Sequence, residues 1–229
     1  MLRSRPRFAT RAPSRPLASV WAKLLYLRDL GETELGGFGI TAADDLLLVE
    51  DVRLVRQVST GVSVAFEDEA VADFFDQQVD RDLRPAQFAR IWVHTHPGGW
   101  PEPSITDEET FPKVFGRTDC AVMFILARGG QSYARLRFHV GPGADVELPV
   151  QVDYGRPFAA SDHQAWKAEY EASVREPILP VARHFAEGAD PGGLDLPLRS
   201  AVEGLWLEDW RDPFGEPCGV EGLDHDDWP

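Results

Sequence analysis

The run His94-Thr95-His96-Pro97, followed by Ser104-Ile105-Thr106-Asp107, puts two imidazoles and a carboxylate in one short stretch of chain. If residues 89–96 form a strand, the period of two places Trp92, His94 and His96 on one face and Ile91, Val93 and Thr95 on the other. Both imidazoles then point the same way at the strand's end. Pro97 cannot donate to a ladder and Gly98-Gly99 breaks regular pairing, so the chain turns at once and leaves the histidines at a rim that substrate can reach. Ser104 and the acids after it read as a helix start, with Ser104 at the cap. Asp107 falls one turn in, where the helix dipole and unpaired N–H groups favour a carboxylate. Two histidines and one aspartate hold zinc and leave a fourth tetrahedral position to water, which separates a catalytic site from a structural one. Zinc lowers the pKa of its water to about 7, and a carboxylate beside that water can take a proton as it attacks a carbonyl. Upstream of Gly36-Gly37, Glu32 and Glu34 share a parity, and periodicity does not choose between them for this task.

Hydrophobic patterning places the elements that must carry these residues. Residues 17–27 are apolar enough to be ordered, with no period that separates helix from strand. Residues 34–40 read as a strand whose glycines permit close packing or a bulge. Residues 46–57 read as one long or two short strands, and 62–66 as a shorter one. Val71, Ala72, Phe74, Phe75 and Val79 recur at helical spacing, which predicts an amphipathic helix over 68–79. The apolar run 120–128 predicts a central strand covered on both faces. Residues 132–140 and 146–152 alternate as partly exposed strands, and 162–185 predicts a helix interrupted near Pro177 and Pro180. Strands, helix, strand, helix, strands is the order of an α/β protein with a mixed sheet flanked by helices. A disordered basic arm over 1–16, a catalytic domain over 17–155 and an extension over 156–229 complete the expected organisation. The extension carries the C-terminal helix and an irregular acidic tail whose Trp206, Trp210 and Trp228 cover a surface. There is no internal repeat.

Composition narrows the functions. With 43% hydrophobic and 27% charged residues over 229 positions, the chain can bury one good core. A formal net charge of −15 argues against nucleic acid as a partner, since phosphate binding relies on Lys and Arg. No stretch approaches the roughly 20 apolar residues of a membrane span, and the arginine-rich start lacks the apolar core of a signal peptide, so a cytoplasmic protein is expected. Cys120 and Cys218 suggest no disulfide framework, and Cys120 reads as a small buried hydrophobe. His139, His163 and His184 are isolated, and Asp224-His225-Asp226-Asp227 reads as solvated tail. Gly36-Gly37-Phe38-Gly39 lacks the order of a nucleotide loop.

The spacing of these residues resembles the JAB/MPN metalloprotease family, also called JAMM. Its signature is a distant Glu, then His-x-His, seven residues and Ser-x-x-Asp, and His94, His96, the interval 97–103, Ser104 and Asp107 follow it without a gap. The resemblance covers roughly residues 17–155 and implies a cytidine-deaminase-like mixed sheet flanked by helices. It implies that His94, His96 and Asp107 bind one Zn2+, that Glu34, placed before the glycines, is the general base, and that Ser104 donates to the oxyanion, a role worth roughly 3 kcal/mol in comparable sites. The implied reaction is hydrolysis of the isopeptide or peptide bond after the C-terminal glycines of a ubiquitin-like protein or its conjugates, with activating and conjugating enzymes of the same system as further partners. Trp100, in the loop before Ser104, is a candidate for the border of the substrate groove, since mouths of sites favour aromatics. A RadC-like or other hydrolase of the same superfamily, and a noncatalytic MPN scaffold, are the competing readings, because a fold and a metal kit do not fix the scissile group.

Overall fold

The computed structural model of the chain describes residues 13–158 and 160–177. Most of the basic arm, the predicted helix beyond residue 177, His184, Cys218, the three tail tryptophans and the acidic tail lie outside the described residues. The elements run β1 (Arg15–Pro16), α1 (Ala18–Arg28), β2 (Leu35–Thr41), β3 (Leu48–Leu54), β4 (Gln57–Ser59), β5 (Val64–Phe66), α2 (Asp68–Val79), α3 (Pro85–Phe88), β6 (Ile91–His96), α4 (Ile105–Phe115), β7 (Cys120–Ala127), β8 (Ser132–Phe138), β9 (Ala144–Glu147), α5 (His163–Ser173) and β10 (Val174–Arg175).

Seven strands form one mixed sheet in the order β1-β3-β2-β6-β7-β8-β9, and three form a small sheet in the order β10-β4-β5. In the large sheet β6 runs parallel to β7 and antiparallel to β2. The sheet curls until its ends meet, for Ser14 pairs with Val150 and Leu17 with Asp153, and Leu148 N–H reaches back to the Ala134 carbonyl. This end of the predicted arm is therefore sheet rather than disordered chain.

Each face of the sheet has its own core. On one, α1 lays Val20 and Leu24 against Val52, Val93, Phe124 and Leu126. On the other, α2, α3 and α4 bury Phe74, Phe88, Phe111 and Phe115 against Phe38, Trp92, Met123 and Ile125. The alternation along β6 sorts its side chains accordingly, with Ile91 and Val93 to the first face and Trp92 to the second. Every residue of β7 from Ala121 to Ala127 is buried, as a strand covered on both faces requires.

The 46–57 segment takes the second of its two expected forms, two short strands, breaking after Leu54 and changing sheet at β4. Three expectations are corrected. The predicted 162–185 helix ends at Ser173, because Val174 and Arg175 leave it to pair with Gln57 and Val58. The strand expected over 146–152 is β9, shorter and earlier than predicted, after which the chain crosses to pair with residues 14–17. Cys120 is half-buried at the start of β7, where Arg90 Nη1 approaches its sulfur at 3.4 Å. The helix α5 docks on the first-face side of the molecule. Its Glu169 receives the buried Lys23 ammonium at 2.7 Å and the Leu54 N–H at 2.9 Å, and His163 stacks on Tyr26. No helix among the described residues is long and apolar enough to cross a membrane.

Candidate metal centre

The end of β6 builds the centre. His94 pairs across the sheet with Gly36 on β2 and Ile125 on β7, and it is 1% exposed. Trp92 stacks on its ring at 4.4 Å and 26°. His96, the last residue of the strand, is half-buried, and its Nδ1 lies 2.9 Å from the Trp100 carbonyl. A carbonyl only accepts, so Nδ1 carries the proton and the lone pair falls on Nε2. The Pro97–Pro103 loop thus fixes the tautomer of the imidazole that precedes it.

The helix α4 supplies the carboxylate. Ser104 caps it in a reciprocal arrangement: Asp107 N–H donates to Ser104 Oγ at 3.2 Å, and Ser104 N–H donates to Asp107 Oδ2 at 2.7 Å. The cap locks the aspartate rotamer toward β6. Asp107 Oδ1 lies 3.2 Å from His94 Nε2, and Oδ2 lies 3.5 Å from His96 Nε2. A tetrahedral ion with bonds of about 2.0–2.1 Å needs its ligand atoms roughly 3.3–3.4 Å apart, so the two spacings fit such an ion. One donor atom from each of the three residues lies within 4.8 Å of the others. Among the described residues, neither His94 Nε2 nor His96 Nε2 has a hydrogen-bond partner, despite burial and the nearby carboxylate. Buried polar atoms left this way call for a partner, and a cation among them is one. Nδ1 of His94 also lacks one, so the Trp92 face, rather than a hydrogen bond, orients that ring.

Glu34 enters from the residue before β2. Its N–H donates to the Thr60 carbonyl at 2.8 Å, and its buried carboxylate sits with Oε1 3.9 Å from His96 Nε2. Glu32 is turned outward to Arg128 at 2.9 Å, and it is Glu34 that faces His96. Parity could not separate the two because the strand begins only at Leu35.

Electrostatics follow from burial. Burial pushes the Glu34 carboxyl up to about 7, with the Asp107 charge adding to the rise and His96 opposing it. Burial also raises Asp107, but both histidines and Ser104 outweigh it and hold the carboxyl well below the usual range. His94 is driven down by burial and stays neutral, the form that ligates. For His96 burial is outweighed by Asp107, the Trp100 carbonyl and Glu34, and its pKa rises.

The structure therefore gathers Glu34, His94, His96, Ser104 and Asp107. Ser104 is exposed, and because its oxygen accepts from Asp107 its own O–H remains able to donate. Trp100 contributes its carbonyl, while its indole is 70% exposed. Sequence reasoning missed Thr95, whose Oγ1 accepts the Leu35 N–H at 3.1 Å, and Gln57, wholly buried beside Gly36. A polar residue at the end of an apolar run was the one available signal for Gln57. Compared with known proteins, the chain matches no family model and no curated protein.

Proposed function

We propose that the chain is a zinc-dependent isopeptidase or peptidase of the JAB/MPN kind, which hydrolyses the bond after the C-terminal glycines of a ubiquitin-like protein. The observation that carries this reading is the approach of Glu34, from a distant segment, to within 3.9 Å of His96 in the His94, His96 and Asp107 set. A zinc ion on those three residues supplies a Lewis acid and lowers the pKa of the water it holds. Glu34 accepts the proton of the attacking water as the O–C bond forms, and returns it to the departing amine nitrogen as the C–N bond breaks. The Ser104 O–H donates to the developing oxyanion. Burial raises the Glu34 carboxyl in the ion-free protein, and a bound cation would draw it down again, so that it would meet the attacking water as a carboxylate.

A narrow glycine tail suits the surroundings of Glu34. Among the described residues β5 pairs with β4 alone, and its hairpin adjoins the centre through the Thr60 contact with Glu34. A free strand edge holds an extended peptide by backbone pairing and asks little of its side chains.

The test is cleavage of a ubiquitin-like protein fused through its terminal glycines, with zinc content measured on the same sample. Activity should vanish on chelation and return with zinc. Glu34→Gln should keep the zinc and lose about 10²–10⁴-fold in rate. A protein that takes up no zinc favours the scaffold reading, and wild-type rates in Glu34→Gln would remove Glu34 from the mechanism.

A further inference from the structure

We infer that Gln57 is a positioning residue for Glu34, its buried amide standing in for the strand that β2 lacks at Gly36. The inference rests on Glu34 as the base of the proposed reaction.

On one side β2 pairs with β6 over Leu35–Gly39, so Gly36 lies directly across from the ligand His94. On its other side β2 pairs with β3 only from Gly37 onward, because β3 ends at Leu54. One edge of the base-bearing segment is thus without a neighbouring strand at Gly36. Gln57 closes that gap with both ends of one amide. Gly36 N–H donates to Gln57 Oε1 at 2.7 Å, and Gln57 Nε2 donates to the Gly36 carbonyl at 2.8 Å. These are the two hydrogen bonds an antiparallel partner residue would exchange with Gly36.

The amide cannot turn. Its second N–H donates to the Val55 carbonyl at 2.8 Å, and its oxygen also accepts from Ser59 Oγ at 3.2 Å, so all four of its hydrogen-bonding positions are filled. Reversing oxygen and nitrogen would set donor against donor at Gly36. The backbone of Gln57 is held in turn between Phe66 of β5 and Val174 of β10. Close approach requires glycine at the receiving position, since a Cβ on Gly36 would stand 2.7 Å from the Phe66 ring and 2.8 Å from Val64. With the Thr60 carbonyl on Glu34 N–H and Thr95 Oγ1 on Leu35 N–H, residues 34, 35 and 36 are each fixed by a group outside the regular ladder. None of these bonds is made by the side chain of His94, His96 or Asp107.

The experiment compares wild type, Gln57→Leu and Gln57→Glu in three measurements. These are zinc affinity by chelator competition, kcat and KM on the glycine-tail fusion, and amide hydrogen exchange of the zinc-free protein. For Gln57→Leu, zinc affinity and KM should stay within about threefold while kcat falls about 100-fold, the scale of a displacement near 1 Å at a reacting group. Exchange at Gly36 and Glu34 should quicken while Val93 and the α1 amides stay protected. Gln57→Glu keeps the acceptor for Gly36 N–H and loses the donors, so it should fall between, and it decides the matter if the leucine variant does not fold. Unchanged kcat per zinc-loaded molecule overturns the inference, as does an equal loss of zinc affinity and kcat, which would make Gln57 a general scaffold residue. A wild type that cleaves nothing would defeat the proposed reaction. The exchange arm would still tell whether Gln57 holds the Glu34 segment.

Discussion

Oε1 of Glu34 lies 3.9 Å from Nε2 of His96, too far for a hydrogen bond and near enough for each charge to feel the other. The carboxylate is buried, and its titration in the metal-free protein follows from that.

Glu34 has a folded-state pKa of about 7, raised from 4.5 by burial. A raised acid contributes stability that is fully present below the unfolded pKa and is lost as pH rises through the folded one. Chelated wild type should therefore lose stability relative to Glu34→Gln between about pH 4.5 and 7, by at most about 3 kcal/mol. Denaturant titrations of both proteins across that range measure it, and a flat difference would show that Glu34 is not buried as described.

Zinc binding should fall in acid. His94 and His96 must both be neutral to ligate, whereas Asp107 stays ionised throughout because its pKa is held low. His96, raised by its neighbours, protonates first, and affinity should then drop roughly tenfold per pH unit for each proton taken up. Competition with a chelator of known pH dependence gives the slope, and a pH-independent affinity would argue for other ligands.

Ser104 caps α4, and the proposed reaction would give its hydroxyl a second, separable task. Ser104→Ala should cost about 1 kcal/mol from the lost cap of α4, and should slow kcat about 10²-fold if its hydroxyl serves the oxyanion. Ser104→Thr keeps the hydroxyl and should restore both. Thermal melts and steady-state rates read the two effects independently, and a stability loss with full activity would leave Ser104 as a cap alone.

Gly36→Ala forces a methyl group against Phe66 and Val64 and should destabilise by about 1–3 kcal/mol. Gly98→Ala, where a Cβ meets no heavy atom within 4 Å, is the control and should change stability little. Equal effects of the two would contradict the tight seat of β2 against the β4–β5 hairpin.

Much of the centre was legible because its information is local. A period of two along one strand aligned His94 with His96, and a cap signature four residues long set Asp107. The period of α2 gave its bounds as Asp68 and Val79, since its apolar residues lie on one stripe. α1 stayed ambiguous because, besides buried Val20 and Leu24, Trp21 and Leu25 also pack on the core, which blurs the stripe that marks a helix. What could not be read is set by tertiary pairing. Nothing near Gln57 in sequence announces that its amide meets Gly36, and nothing near Val174 tells that a helix will stop to give β4 a neighbour.

That pairing bears on how the molecule can be cut. A boundary at residue 155 keeps Glu34, His94, His96, Ser104 and Asp107 yet discards Glu169, leaving the Lys23 ammonium only Val52 and Asp51 among the described residues, and strips β10 from the strand that carries Gln57. A fragment meant to keep Glu34 beside His96 should therefore run through Arg175.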